Sequence, residues 1–159
     1  MSQTIRRALW SLSTLLFLAP AYGQVSPTPF KTLVGFWKVT VTPDGLPSFR
    51  AFNQFNADGS SIEFDNSNPP GQQTIAAGPW ERTGNNQYSM LEVNQLFDDH
   101  GYAGELRVLA KITLDASGDT FTSTFNFQVL DPSDNIVFQG TGTAKGVRIT
   151  IDSMSRLLT

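Results

Sequence analysis

Few residues in this chain offer reaction chemistry. Histidine occurs once, as His100 in Asp98-Asp99-His100-Gly101, where an imidazole between carboxylates could carry a proton or help hold a metal. The same four residues are ordinary turn composition, and that is the preferred reading. One His and no Cys leave too few nitrogen and sulfur ligands for zinc, and Asp98 and Asp99 match no EF-hand spacing. No metal site is expected. No Gly-x-Ser-x-Gly elbow marks a serine nucleophile, and the absence of cysteine removes thiolate catalysis and disulfides together.

Glu92 is the carboxylate out of place. It lies between Met90 and Asn94 in a run with strand character whose two faces are both part apolar, Tyr88 and Met90 opposing Leu91 and Val93. Facing inward it would be desolvated, with a raised pKa, and would be a candidate acid or base. Facing outward it is a solvated strand residue. It is the one catalytic candidate, and only if the protein is an enzyme. Asn53 and Arg82 are similar polar intrusions, able to orient a ligand or to satisfy a buried hydrogen bond. Of the aromatics Phe36, Trp37, Phe49, Phe52, Phe55, Phe64, Trp80, Tyr88, Phe121, Phe125, Phe127 and Phe138, most belong to the core. With Asn53 and Glu92 as polar handles, Phe55, Trp80, Tyr88, Phe125 and Phe127 would line a site for a small apolar or amphipathic ligand. No cofactor is expected.

Strands must position these residues. Trp37, Val39 and Val41 share a face of a first strand, closed by Thr42-Pro43-Asp44-Gly45. A second, about Ser48 to Asn56, groups Phe49, Ala51, Asn53 and Phe55. After the hairpin turn Ala57-Asp58-Gly59, Ser61 to Asp65 sets Ile62 and Phe64 against Glu63 and Asp65. The segment Asn66 to Gln73, centred on Pro69-Pro70-Gly71, is the longest loop. A fourth strand spans about Ala76 to Arg82, and Gly84-Asn85-Asn86 turns into a fifth, Gln87 to Phe97. The sixth places Leu106, Val108, Ala110, Ile112 and Leu114 on one face. The seventh does so with Phe121, Phe125, Phe127 and Val129, and the eighth with Ile136, Phe138, Gly140, Gly142 and Ala144, closing near Arg148.

Eight strands joined by tight turns predict an all-β, antiparallel, up-and-down eight-stranded barrel, with a β-sandwich as the alternative. Gly140 and Gly142 on an apolar face suit the sharp coiling of closure. Only two Gly-x-Trp triplets, at Gly35-Phe36-Trp37 and Gly78-Pro79-Trp80, repeat.

The N-terminus reads as a secretory signal. Arg6 and Arg7 precede an apolar core from Ala8 to Leu18, and Pro20-Ala21-Tyr22-Gly23 offers small residues before a cut after Gly23. The domain plan is a signal at 1–23, an extended leader at 24–32, a barrel at 33–152 and a C-terminal tail at 153–159. The apolar core is shorter than the roughly 20 residues of a spanning helix, so no membrane span is expected after cleavage. The expected address is secreted, extracellular or periplasmic. Cleavage lowers the net charge from −3 to −5. With its bases scattered singly, the acidic product is unsuited to nucleic acid.

Gly35-Phe36-Trp37 opening the first strand, with Arg148 near the end of the last, resembles the calycins, the superfamily of lipocalins and their relatives. The resemblance implies that Trp37 packs under Arg148 at the barrel base, that the fold runs from about Leu33 to Ile151, and that the protein binds a small hydrophobic molecule. The lipocalins' Thr-Asp-type loop motif, a disulfide pair and a helix before the final strand have no counterpart here. In outline the chain is also similar to the allene-oxide-cyclase-type barrels. Three functions follow: a lipocalin-like binder, a cavity cyclase or isomerase using Glu92, or an interaction module with a filled barrel. A roomy neutral interior favours the first, a roomy one with a buried carboxylate the second, and a filled one the third.

Overall fold

The computed structural model describes residues 31–152. The expected signal, residues 24–30 of the leader and the tail at 153–159 lie outside the described residues. Eight strands follow in chain order: β1 Gly35–Pro43, β2 Phe49–Phe55, β3 Ser60–Asp65, β4 Ala76–Gly84, β5 Gln87–Asp98, β6 Gly101–Leu114, β7 Thr120–Leu130 and β8 Ile136–Ile149. Each pairs antiparallel with its neighbour in sequence. β1 then pairs with β8 from Phe36↔Ile149 to Pro43↔Gly142, closing the sheet into a barrel. One continuous ladder around all eight strands excludes the sandwich.

Period-two alternation carries Trp37, Val39 and Val41 of β1 and Ala51, Asn53 and Phe55 of β2 into the barrel, all buried. β3 inverts the apolar-in rule. Asn53 pairs with Glu63 and Phe52 with Phe64, so Glu63 and Asp65 share the inner face with buried Ser61, while Ile62 and Phe64 are exposed. The aromatics Phe36, Phe52 and Phe64 therefore lie outside the core, stacked along the outer face with ring centroids 5.5–6.2 Å apart. Their mutual contact compensates in part for that exposure. β6 begins at Gly101 because Tyr102 and Gly104 continue the ladder to Phe97 and Leu96 across a bulge. His100 is left in the short connection between β5 and β6.

The two ends of the barrel differ. At one, Leu33, Trp37, Phe55, Trp80, Tyr88 and Phe121 fill the interior with edge-on ring contacts, Trp37 to Phe121 at 5.0 Å and Trp80 to Tyr88 at 5.7 Å. Arg148 seals it. Its guanidinium lies 4.2 Å from the Trp37 ring centroid and donates to Thr32 O at 2.6 Å, Val34 O at 2.7 Å and Gly118 O at 2.8 Å. Trp37 Nε1 donates to Leu33 O. Gly35 has φ +142°, and a Cβ there would meet Arg148 Nη1 at 2.5 Å. The positive φ calls for the glycine of Gly-x-Trp, and the arginine passing over it leaves little room for a side chain.

Toward the other end the interior is open. Three phenylalanines of β7 face three glycines of β8 in register: Phe121↔Gly146, Phe125↔Gly142 and Phe127↔Gly140. The rings lie against the glycine backbones, where an added Cβ would come within 2.1–2.7 Å of them. At Phe125 and Phe127 the wall absorbs the rings and leaves the interior beside them open.

Candidate functional site

The open half of the barrel encloses a cavity of about 440 Å³. Its floor is Phe55 and Phe121, and its mouth is bordered by Pro43, Leu46, Leu96, Phe97 and Phe138. On the β6–β8 side the lining is apolar apart from Ser123, with Leu106, Val108, Ala110, Phe125, Phe127 and Ala144. The β2–β5 side carries the polar groups Asn53, Glu63, Asp65, Glu92 and Asn94. The cavity is therefore two-sided, one wall apolar and one acidic.

Backbone packing brings the acids together. Between β3 and β5, β4 places Ala76 opposite Glu63 and Gly78 opposite Ser61. A Cβ on Gly78 would lie 1.9 Å from Leu91 O and 3.2 Å from Glu92 Cα, so glycine permits the close crossing of β5 where Glu92 enters the barrel. Small residues across β4 leave this stretch of wall without a bulky side chain, and Glu63 and Glu92 can approach over it.

Glu92 is 2 % exposed. Its Oε1 is fully buried and accepts no hydrogen bond, while the nearby Ser61 hydroxyl donates to Gly78 O at 3.1 Å. Burial pushes the Glu92 carboxyl up to about 7, with neighbouring Asp65 adding to the shift and Ser61 and Asn53 opposing it. Burial also pushes Glu63 up to about 8. The charge of Glu92 is the next cause, Asp65 contributes less, and Asn53 opposes. Asp65 is better provided for, since its Oδ1 accepts from Ser67 N at 2.6 Å and Gln73 Nε2 at 3.0 Å. Gln73 Oε1 accepts in turn from Asn94 Nδ2 at 3.3 Å and Asn68 Nδ2 at 2.7 Å. The long loop after β3 is held to β5 by this network and by the Gln73–Leu96 bridge.

Of the residues singled out from sequence, Asn53, Phe55, Glu92, Phe125 and Phe127 line the cavity. Trp80 and Tyr88 do not; they pack beneath it in the closed end, where Trp80 Nε1 donates to Asn56 O and Ser60 O. Trp37 and Arg148 meet there as well. Arg82 is outside the barrel, its Nε donating to Gly84 O at 2.9 Å. His100 is exposed in its turn, its backbone N–H bonded to Asp98 Oδ1.

Sequence reasoning passed over Glu63 and Asp65. The signal was in the hairpin: the turn centred on Asp58 sets Asn53 opposite Glu63, so an inward Asn53 requires an inward Glu63. Among the described residues no three His, Cys, Asp or Glu side chains converge as metal ligands, and no helix is long and apolar enough to cross a membrane. No protein-family model matches the chain, and no curated protein is significantly similar to it.

Proposed function

We propose that the barrel takes a small amphipathic molecule into its cavity, with the apolar body against β6–β8 and the polar end at Glu63 and Glu92. The cavity carries this reading: its volume of about 440 Å³ falls in the range of small-molecule sites, and its lining combines apolar walls with a few convergent polar groups. A buried carboxylate oxygen without a partner is costly, and a ligand's donor would offset that cost. Lipocalin-like binding outside the cytoplasm is the form proposed, and export rests on the N-terminal sequence pattern. The open cavity weighs against a filled interaction module.

The test is native mass spectrometry of protein purified from its own host. A retained small molecule, released on denaturation, is expected. An empty barrel that also fails to take up an uncharged fluorescent probe, N-phenylnaphthylamine, would overturn the proposal.

A second reading, a cavity cyclase or isomerase, is favoured by one observation. The Glu92 carboxyl, raised to about 7, is near the value suited to proton transfer at neutral pH, and a roomy interior with a buried carboxylate is the combination set out for it above. Binding stands first because enclosure is common to both readings. The wall facing Glu92 is also apolar apart from Ser123, so a bound molecule would have no acid–base partner across from it. Conversion of the retained molecule, lost on Glu92→Gln while retention persists, would reverse that order.

A further inference from the structure

Three carboxyl groups, from Glu63, Asp65 and Glu92, enter one largely apolar cavity, and among the described residues no Lys, Arg or His lines it. The described bases are elsewhere. Lys38, Arg50, Arg82, Lys111 and Lys145 are exposed, Arg107 engages Glu105, and Arg148 seals the opposite end. Buried acids in proteins are ordinarily paired with a base or hydrogen bonded. Asp65 has its donors, but Glu92 Oε1, buried and lining the cavity, has none. What the site lacks is a cationic donor.

We propose that the cavity is a site for a protonated amine, its ammonium group seated between Glu63 and Glu92 and its apolar remainder against Phe125 and Phe127. This rests on the reading that the barrel takes a ligand, and it names that ligand's class. An ammonium group has three donors and no acceptor, which suits two glutamates backed by the amide oxygens of Asn53 and Asn94. An alcohol brings one donor and no charge. A carboxylate ligand would add a fourth acid to the cluster and be repelled. A metal ion is disfavoured because the acids do not converge as a ligand set.

Proton linkage gives the site a signature. Burial, with repulsion from Glu92 on Glu63 and from Asp65 on both, keeps Glu63 and Glu92 protonated toward neutral pH, and an ammonium favours their ionised forms. Amine binding therefore expels protons and tightens as the pH rises from about 6 to about 8, where the two acids titrate. The pair is faced by Asp65 and Ser61 of β3, Asn53 of β2, Asn94 of β5, Ala76 and Gly78 of β4, and apolar Leu106 and Val108 of β6. Asp65 is the one other titratable group among these, and its charge also attracts the amine.

The experiment is calorimetric titration of the full chain with octylamine, octanol and octanoate, probes that share a chain length and differ in the head. At pH 8 octylamine should bind at least about tenfold more tightly than either of the others. Its affinity should fall toward pH 6 with proton release on binding, while that of octanol stays constant. In the Glu63→Gln/Glu92→Gln double variant octylamine should lose at least about tenfold and octanol stay within about twofold, which also reports that the barrel is intact. Octanol or octanoate matching octylamine, or a double variant that holds octylamine as well as the parent, would overturn the amine proposal and leave enclosure standing. If none of the three enters, enclosure falls and the amine site falls with it. Should the double variant not fold, the parent decides: octylamine affinity with no pH dependence between 6 and 8 counts against the site.

Discussion

Glu63 and Glu92 hold their protons more tightly in the barrel than the unfolded chain does, whose glutamates titrate near 4.5. Folding therefore takes up protons between about pH 4.5 and 8. The stability these groups contribute is fully present below about 4.5 and is lost as the pH rises through about 8. Asp58, Asp115 and Asp131, lowered chiefly by side-chain hydrogen bonds from Ser60, Ser117 and Asn135, act in the opposite sense and only at acid pH. Thermal melts should accordingly give a Tm lower at pH 8 than at pH 5 by on the order of 5 °C. Glu92→Gln should flatten that slope and raise the Tm at pH 8; a Tm that climbs across this range would contradict the buried pair. At the closed end, Trp37→Ala should cost about 3–5 kcal/mol. Arg148→Ala should cost less, and the two losses should not add in a double-mutant cycle, since the side chains touch. His100→Ala, in an exposed turn, should leave both Tm and ligand uptake unchanged. Glu92 was legible in the sequence as an oddity. Its direction was not, because both faces of its strand are part apolar.

Between elements, the decisive device is the pairing of β7 phenylalanines with β8 glycines. The atoms nearest a Cβ on Gly140 all belong to the Phe127 ring, the first at 2.7 Å, so Gly140→Val should tip that ring into the cavity. Probe uptake should then fall at least about tenfold while the barrel still melts cooperatively, and Phe127→Leu added to Gly140→Val should restore uptake. Unchanged uptake in the single variant would show that the ring has another place to go. Strand positions were well foreshadowed, because turn chemistry and period-two alternation are local signals and an all-neighbour meander needs little else. Two things escaped. β3 turns its apolar side outward because hairpin register overrides hydrophobicity, with the exposed Phe64 ring and the half-buried Phe36 and Phe52 rings covering one another. Trp80 and Tyr88 have the composition of ligand contacts but are used as filler beneath the cavity, and depth along a barrel axis leaves no trace in alternation.

For the whole molecule, the ladder between β1 and β8 removes every free sheet edge among the described strands. Export remains a proposal with a direct check: intact-mass measurement of protein recovered outside the cytoplasm should give a chain beginning at Gln24, and retention of residues 1–23 would overturn cleavage after Gly23. An even number of up-and-down strands also returns the chain to where it started. Gly35 and Ile149 border the sealed end, with Arg148 tying Thr32 and Val34 to it, and the cavity mouth lies at the opposite pole. A tether attached before Leu33 or after Ile149 would therefore hold the molecule by its base and leave the entrance facing away. Fused or immobilised at Leu33 or at Ile149, the barrel would stand as an upright cup with its mouth toward solution.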